Sequence, residues 1–284
     1  MTIAACVVWY NPDENCLKNI KSYFYSASPI THLFIIDNSN CDNKNLLDIF
    51  PMDNNITYIA NKNNNGIAKA LNQGCKLAIE AGYQYIMTMD QDSVFLNDNF
   101  ERYIKEINAN QDKAGSFAPN TVQPKETLSF ALYWKNKIIK KKKDLIFVDK
   151  CISSGNVINL ELWKILGGFN EDLFIDQVDF DFCYRLTKQK KILKFQHIYL
   201  THSIGIPKKS LLPEFDSHSG VRIYYIFRNN LYMKKWYPNR FTFKDYKFLV
   251  IFYIKNCLNK QNALYIKKAL KDYKDGILGE YNAN

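Results

Sequence analysis

The stretch Tyr85-Ile86-Met87-Thr88-Met89-Asp90-Gln91-Asp92-Ser93 constrains this chain more than any other. An apolar run ends abruptly in two carboxylates one residue apart. Positions i and i+2 of an extended segment project to the same side. Asp90 and Asp92 therefore converge on one point just past the end of a buried strand. In open α/β sheets, ligands sit outside the carboxyl ends of the strands. Two hard oxygen ligands there suit Mg²⁺ or Mn²⁺, held by one or two carboxylates together with substrate phosphates. A solvated turn accounts for the same residues, since Asp and Ser are common turn formers. The rest of the chain has to decide between them.

The first 92 residues alternate strand and helix. Apolar runs predict strands over 3–9, 32–36, 56–60 and 85–89, with helices over 14–26, 45–50 and 67–81 between them. Asp13 is placed to cap the first helix and Gly82 to end the last. This order predicts an α/β fold, a parallel sheet with helices on both faces. No G-x-G-x-x-G follows the first strand and no G-x-x-x-x-G-K-[ST] occurs, which excludes a dinucleotide-binding fingerprint and a P-loop.

Several strand ends carry polar residues suited to a ligand. Asp37 can accept from a nucleobase N–H or a ribose hydroxyl, or serve as an ordinary turn former. Asn65-Gly66 and the helix behind them offer backbone N–H groups and a positive dipole end to a phosphate. Lys69 and Asn72 lie on neighbouring turns of that helix, facing either the ligand or solvent. Ser153-Ser154-Gly155-Asn156 interrupts a strand, a pattern that marks close backbone approach to a ligand. Asp172, Asp176, Asp179 and Asp181 crowd ten residues, with Asp176 placed to cap a helix and Asp179 in its first turn. The helix dipole favours acids there, but four exceed what capping needs. A partly buried carboxylate beside others has a raised pKa and can take a proton from a hydroxyl. His202, at the end of a short strand over 198–200, is either a turn residue or a third ligand beside the carboxylates.

The remaining segments frame that centre. A helix is expected over 98–108, a projecting hairpin over 138–146, a short helix over 161–166 and a mobile loop or lid over 206–220. Arg228 lies in an aromatic, basic helix. Beyond Phe243, Tyr, Phe and Lys recur together, through core packing or through amphipathic seating on a membrane surface. The net charge of +10 implies an anionic partner. Lysine and arginine concentrate after about residue 135, giving a neutral cleft with a basic flank, and Lys140–Lys143 can meet anionic head groups. Seven cysteines without a C-x-x-C pair argue against a zinc site or a disulfide framework and for reduced cytosolic thiols. No run reaches the roughly 18–20 apolar residues of a membrane span.

Taken in order, these motifs resemble an inverting family 2 glycosyltransferase of the GT-A fold. The match rests on Val7-Val8-Trp9-Tyr10-Asn11-Pro12, Asp37-Asn38-Ser39, Asn65 to Gly74 and Asp90-Gln91-Asp92-Ser93. It continues through Ser153 to Asn156, Gly167 to Asp176, Val178-Asp179-Phe180-Asp181 and His202 to Gly205, covering roughly residues 3–230. The resemblance is narrower with bacterial rhamnosyltransferases of surface-polysaccharide synthesis. It implies a Rossmann-like nucleotide-sugar half over 1–95, continuous with an acceptor and catalytic half over 96–210, and a loop with C-terminal helices over 211–284.

The resemblance also implies roles. Tyr10, Asp37, Asn65, Gly66, Lys69, Asp90, Gln91 and Asp92 would bind the nucleotide-sugar, and Ser154, Gly155, Asn156, Asp176, Asp181 and Arg228 the donor sugar and acceptor. Asp92, with Asp90 and His202, would hold Mg²⁺ or Mn²⁺, and Asp179 would be the catalytic base. Many relatives carry Glu-Asp where this chain has Val178-Asp179, so Asp176 or Asp181 would supply the missing charge. The implied donor is dTDP-rhamnose, with other dTDP- or UDP-hexoses, including galactofuranose, open. The implied acceptor is a saccharide, free or linked to polyprenyl diphosphate, met in the cytoplasm or at the inner membrane face. A sugar nucleotidylyltransferase would need a Gly-rich basic loop after the first strand, which Tyr10-Asn11-Pro12 lacks. A non-catalytic basic module binding membrane or nucleic acid would be indifferent to the aspartates; nucleic acid is not an expected partner.

Overall fold

The computed structural model describes residues 1–49, 55–122, 144–202 and 219–283. Strand β1 (Ile3–Trp9) is buried at every position, as a strand covered on both faces must be. Its side chains alternate between two cores: Ile3, Ala5, Val7 and Trp9 enter one, Ala4, Cys6 and Val8 the other. Parallel strands β2 (Leu33–Asp37) and β4 (Tyr85–Asp90) flank it, and β3 (Ile56–Ala60) lies beyond β2. Register pairs Val8 with both Ile36 and Asp90, and Trp9 with Asp37. The carboxyl ends of these strands therefore share one edge. Helices α1 (Glu14–Ile20) and α2 (Ile67–Glu80) pack their apolar sides into opposite cores.

The parallel sheet expected from the first 92 residues is present as β3-β2-β1-β4. Past β4 the sense reverses, because the chain returns through β5 (Ser93–Phe95), helix α3 (Asn99–Asn110), β6 (Ser116–Val122), β7 (Leu145–Val148) and β8 (Asn156–Asn159) before β9 (Ile192–His202). β8 runs antiparallel to β4, and the sheet continues through β6 and β9 to β5, with β7 also on β9. Nine strands form one sheet among the described residues. β9 is far longer than the expected 198–200: Lys194, Gln196 and His197 occupy half-exposed positions of the strand, whose register with β6 shifts past Phe195.

Helix α1 ends at Ile20 instead of running to 26. There the hydroxyls of Ser22 and Ser28 bond locally to the carbonyls of Asn19 and Tyr23 and so compete with helix. Asp13 caps α1, accepting from the N–H of Asn15 and Cys16. Helices α4 (Leu160–Ile165) and α5 (Val178–Leu186) cover the second core. Helices α6 (Gly220–Trp236), α7 (Phe243–Cys257) and α8 (Lys260–Asp275) form a third apolar cluster. Most of the expected lid and hairpin, and the lysine run, lie outside the described residues; Ser219 and Gly220, the end of the expected lid, start α6. Among the described residues no helix is long and apolar enough to cross a membrane.

Candidate active site

Strand pairing assembles the first cluster. The turn after β4 carries Asp90, Gln91 and Asp92 straight into β5, whose Ser93 pairs with His202 at the end of β9. His202 Nδ1 lies 2.8 Å from Ser93 Oγ, 3.2 Å from Asp92 Oδ1 and 3.8 Å from Asp90 Oδ2. One ligand atom from each of Asp90, Asp92 and His202 falls within 4.8 Å of the others. Asp92 Oδ1 is buried, with His202 Nδ1 3.2 Å away as its polar neighbour. Two carboxylates and an imidazole that bring one ligand atom each to a common point fit a divalent cation of the Mg²⁺ or Mn²⁺ type.

Proton affinities are raised at both Asp90 and His202. Burial pushes the Asp90 carboxyl above its ordinary range, helped by Asp92 and opposed by His202. Burial works against a charged His202 ring, but the carboxylates of Asp92 and Asp90 outweigh it and hold its pKa above the usual value. A hydroxyl chain braces the group: Ser154 Oγ donates to Ser93 Oγ at 2.6 Å and accepts from the Asp90 N–H at 3.2 Å. Ser153 Oγ donates to Asp90 Oδ1 at 3.3 Å. The next two residues of that motif serve the sheet. Gly155, at φ 75°, gives its N–H to Thr88, and a Cβ there would stand 2.7 Å from Pro119. Asn156 is buried and accepts from Ser116 Oγ.

Gln91 ties two strand ends together. Its side chain accepts from the Tyr10 N–H at 2.8 Å and donates to the Tyr10 carbonyl at 3.2 Å, while the Tyr10 ring stays exposed. Beside it a cavity of about 490 Å³ is lined by Asn11, Asp13, Asn19, Gln91 and Asp92. Sequence reading missed this asparagine-rich wall; its signal was the i, i+4 pair Asn15 and Asn19 on α1, with Asn11 just before it.

Other expected donor contacts are placed differently. Asp37 is fully buried, and its oxygens accept from Ser39 N–H, Asn43 Nδ2 and Tyr58 Oη at 2.7–2.8 Å. These partners would have to give way before a base reached it. The start of α2 is not open to a phosphate: the N–H of Ile67, at 2.8 Å, and that of Ala68 both reach the Phe174 carbonyl, and Gly66 N–H bonds Asn64. Asn65 is half-buried beside Gly66, Lys69 is exposed, and Asn72 is buried against Phe169 and Glu171.

Phe174 belongs to the loop that presents the second cluster. Phe174, Asp176 and Gln177 all have positive φ, and Gln177, not Asp176, stands at the N-cap of α5. Asp176 is drawn off instead to Arg222, 2.6 Å away. Asp179 follows in the first turn, half-buried, accepting the Phe180 N–H at 2.8 Å. Burial pushes its carboxyl up to about 7, with repulsion from Asp90 and Asp176 adding to the rise. Asp179 is thus within electrostatic reach of the Asp90 cluster. Asp181 faces away, ion-paired to Arg185 at 2.7 Å and accepting from Tyr237 at 2.6 Å. Arg228 is buried, bonded to Tyr224 and to the carbonyls of Gly279 and Asp172.

Residues 5–153, over half of the chain, match the model described as Glycosyl transferase family 2. The chain belongs to this glycosyltransferase family. A dTDP-rhamnosyl transferase, RfbF of Shigella flexneri, is 28% identical over 302 residues, covering 99% of each chain. Among solved structures, GalNAc-T7 with UDP, GalNAc and Mn²⁺ superposes with a TM-score of 0.57 at 14% identity, over 96% of this chain and 54% of that one. S. aureus TarS 1-349 with UDP-GlcNAc gives 0.52 at 10% identity, over 100% and 95%. At such identities the superpositions show the fold, which is GT-A. For a family 2 glycosyltransferase the arrangement is chemically coherent: a carboxylate–histidine cluster able to hold a cation, and a separate carboxyl that titrates near neutrality.

Proposed function

We propose that this glycosyltransferase moves L-rhamnose from dTDP-rhamnose, with inversion, to a saccharide hydroxyl during bacterial surface-polysaccharide synthesis. The acceptor is a saccharide, free or carried on polyprenyl diphosphate, met at the inner face of the membrane. One observation carries the mechanism: Asp179, with a pKa near 7, lies within electrostatic reach of the cluster formed by Asp90, Asp92 and His202. The near full-length likeness to a dTDP-rhamnosyl transferase supports the choice of donor.

Asp90, Asp92 and His202 would hold Mg²⁺ or Mn²⁺, which when bound neutralises the negative charge of a diphosphate. Ser153 and Ser154 fix the Asp90 carboxylate, and Gln91 fixes the turn against Tyr10. Asp179 takes the proton of the acceptor hydroxyl, whose oxygen attacks the anomeric carbon from the face opposite the nucleotide. The new carbon–oxygen bond forms as the bond to the diphosphate breaks, and dTDP leaves with the bonding pair. One displacement inverts the anomeric centre.

The test is to incubate the enzyme with Mn²⁺, short saccharide or lipid-diphosphate acceptors, and dTDP-rhamnose or UDP-hexoses in parallel. Release of dTDP that depends on acceptor, with a product of inverted configuration by NMR, is expected. Turnover of a UDP-hexose and none of dTDP-rhamnose would overturn the donor assignment, and a product of retained configuration the mechanism.

A further inference from the structure

Helix α7 is apolar around most of its circumference. Leu249 and Phe252 enter the cluster shared with Tyr224, Phe227 and Ile266. The opposite side, Phe243, Tyr246, Val250, Tyr253, Ile254 and Leu258, is exposed, from 40% at Tyr246 to 83% at Phe243. These positions follow the i, i+3, i+7, i+10, i+11 spacing of one helical face. A helix apolar on both sides belongs in an interior or against a covering surface.

The neighbouring helix identifies the cover. α8 packs Ile266 and Ala269 into the same cluster. Its exposed positions include Lys260, Leu264, Lys267, Lys271 and Lys274, again spaced along one face. Residues 220–284 hold thirteen Lys and Arg against four Asp and Glu, nearly the whole net charge of the protein. Two copies meeting here would bring like charges together, whereas an anionic surface is attracted. An apolar helix face beside a basic one, lying in plane, is the signature of an interfacial element.

The face also adjoins the catalytic helix. One cavity, of about 270 Å³, runs past Ser154, Lys150 and Phe180. A second, of about 230 Å³, continues from Lys150 and Phe180 to Phe241 and Phe248. Phe180 follows Asp179 in the chain, so both cavities border the helix that carries the base.

We propose that the exposed faces of α7 and α8 seat the enzyme on an anionic lipid bilayer, with Val250 and Ile254 in the acyl boundary and Lys260, Lys267 and Lys271 over the head groups. This goes beyond the reaction assigned above and holds whichever sugar is transferred. The test is flotation of the full-length protein with phosphatidylcholine vesicles and with vesicles containing a third phosphatidylglycerol. Binding to the anionic vesicles alone, weakened by added salt, is expected. The double variant Val250→Glu, Ile254→Glu and the separate variant Lys267→Gln, Lys271→Gln should each bind at least about tenfold more weakly. Both should keep the wild-type melting temperature and turnover of a water-soluble acceptor. The charge variant stands as an independent readout if the double variant fails to fold. Equal binding by wild type and variants, or no preference for anionic vesicles, would overturn the proposal. A dimer by light scattering that Val250→Glu dissolves, without vesicle binding, would instead assign the face to a second copy.

Discussion

Asn229 Nδ2 lies 3.0 Å from the carbonyl of Asp176, and the same amide nitrogen reaches the carbonyls of Ile175 at 2.7 Å and Leu173 at 2.9 Å. One buried side chain of α6 thus gathers three carbonyls of the loop whose left-handed residues lead into Asp179. Arg222 holds the Asp176 carboxylate from the same helix. The loop is fixed at both its backbone and its charge.

Asn229→Ala should remove this donor from the Ile175 and Asp176 carbonyls, costing about 2 kcal/mol of stability by urea denaturation. Transfer should fall because Asp179 loses its setting, while the affinity for dTDP and Mn²⁺, held on the other side of the site, changes little. A variant that melts and turns over like the wild type would contradict this role.

Gly66 meets the same loop from the opposite side. It has φ 79°, and a Cβ would stand 2.6 Å from the Phe174 carbonyl oxygen. Gly66→Ala combines backbone strain with that clash and should cost about 2 kcal/mol. A loss below about 0.5 kcal/mol in the same denaturation experiment would show that the loop yields easily.

Asp179 links activity to stability through pH. As a base with a pKa of about 7, it should make kcat rise as pH increases through 7 and level off above it. Its folded pKa lies above the unfolded value of about 3.9, so the folded state binds the proton more tightly. Stability relative to a neutral residue is therefore lost as pH rises from about 4 through 7, and stays lower above. Asp179→Asn should thus melt higher than the wild type at pH 8 and about equally at pH 4, by an amount on the order of 2 kcal/mol after allowing for its partial exposure. Its kcat should fall roughly 10²–10⁴-fold. A variant with normal turnover would move the base elsewhere, and one less stable at pH 8 would contradict the charge argument.

The parallel half of the fold was legible because its strands are apolar runs and its helices carry local start and stop signals, Asp13 before α1 and Gly82 after α2. The D-x-D turn was legible because an apolar strand rarely ends in two acids by packing alone. What stayed hidden depends on partners distant in sequence. Nothing near Gly66 foretells that Phe174 claims the first N–H groups of α2. Nothing near Asp176 foretells that Arg222 draws it from the cap position, leaving Gln177 in a left-handed turn. Strand β9 is longer than its apolar run because Lys194, Gln196 and His197 interrupt the run, and the register with β6 shifts beyond Phe195. The four crowded aspartates proved to have separate tasks: Asp172 is exposed and its carbonyl accepts from the Gly279 N–H, Asp176 and Asp181 are held by arginines, and Asp179 accepts the Phe180 N–H.

The most direct measurement is a calorimetric titration of dTDP into the wild type and Asp92→Ala, with and without Mn²⁺. The cluster of Asp90, Asp92 and His202 predicts dTDP binding that requires Mn²⁺ in the wild type and is lost in the variant, with the fold intact by circular dichroism. Equal dTDP affinity with and without the metal, or undiminished metal-dependent binding in Asp92→Ala, would contradict it.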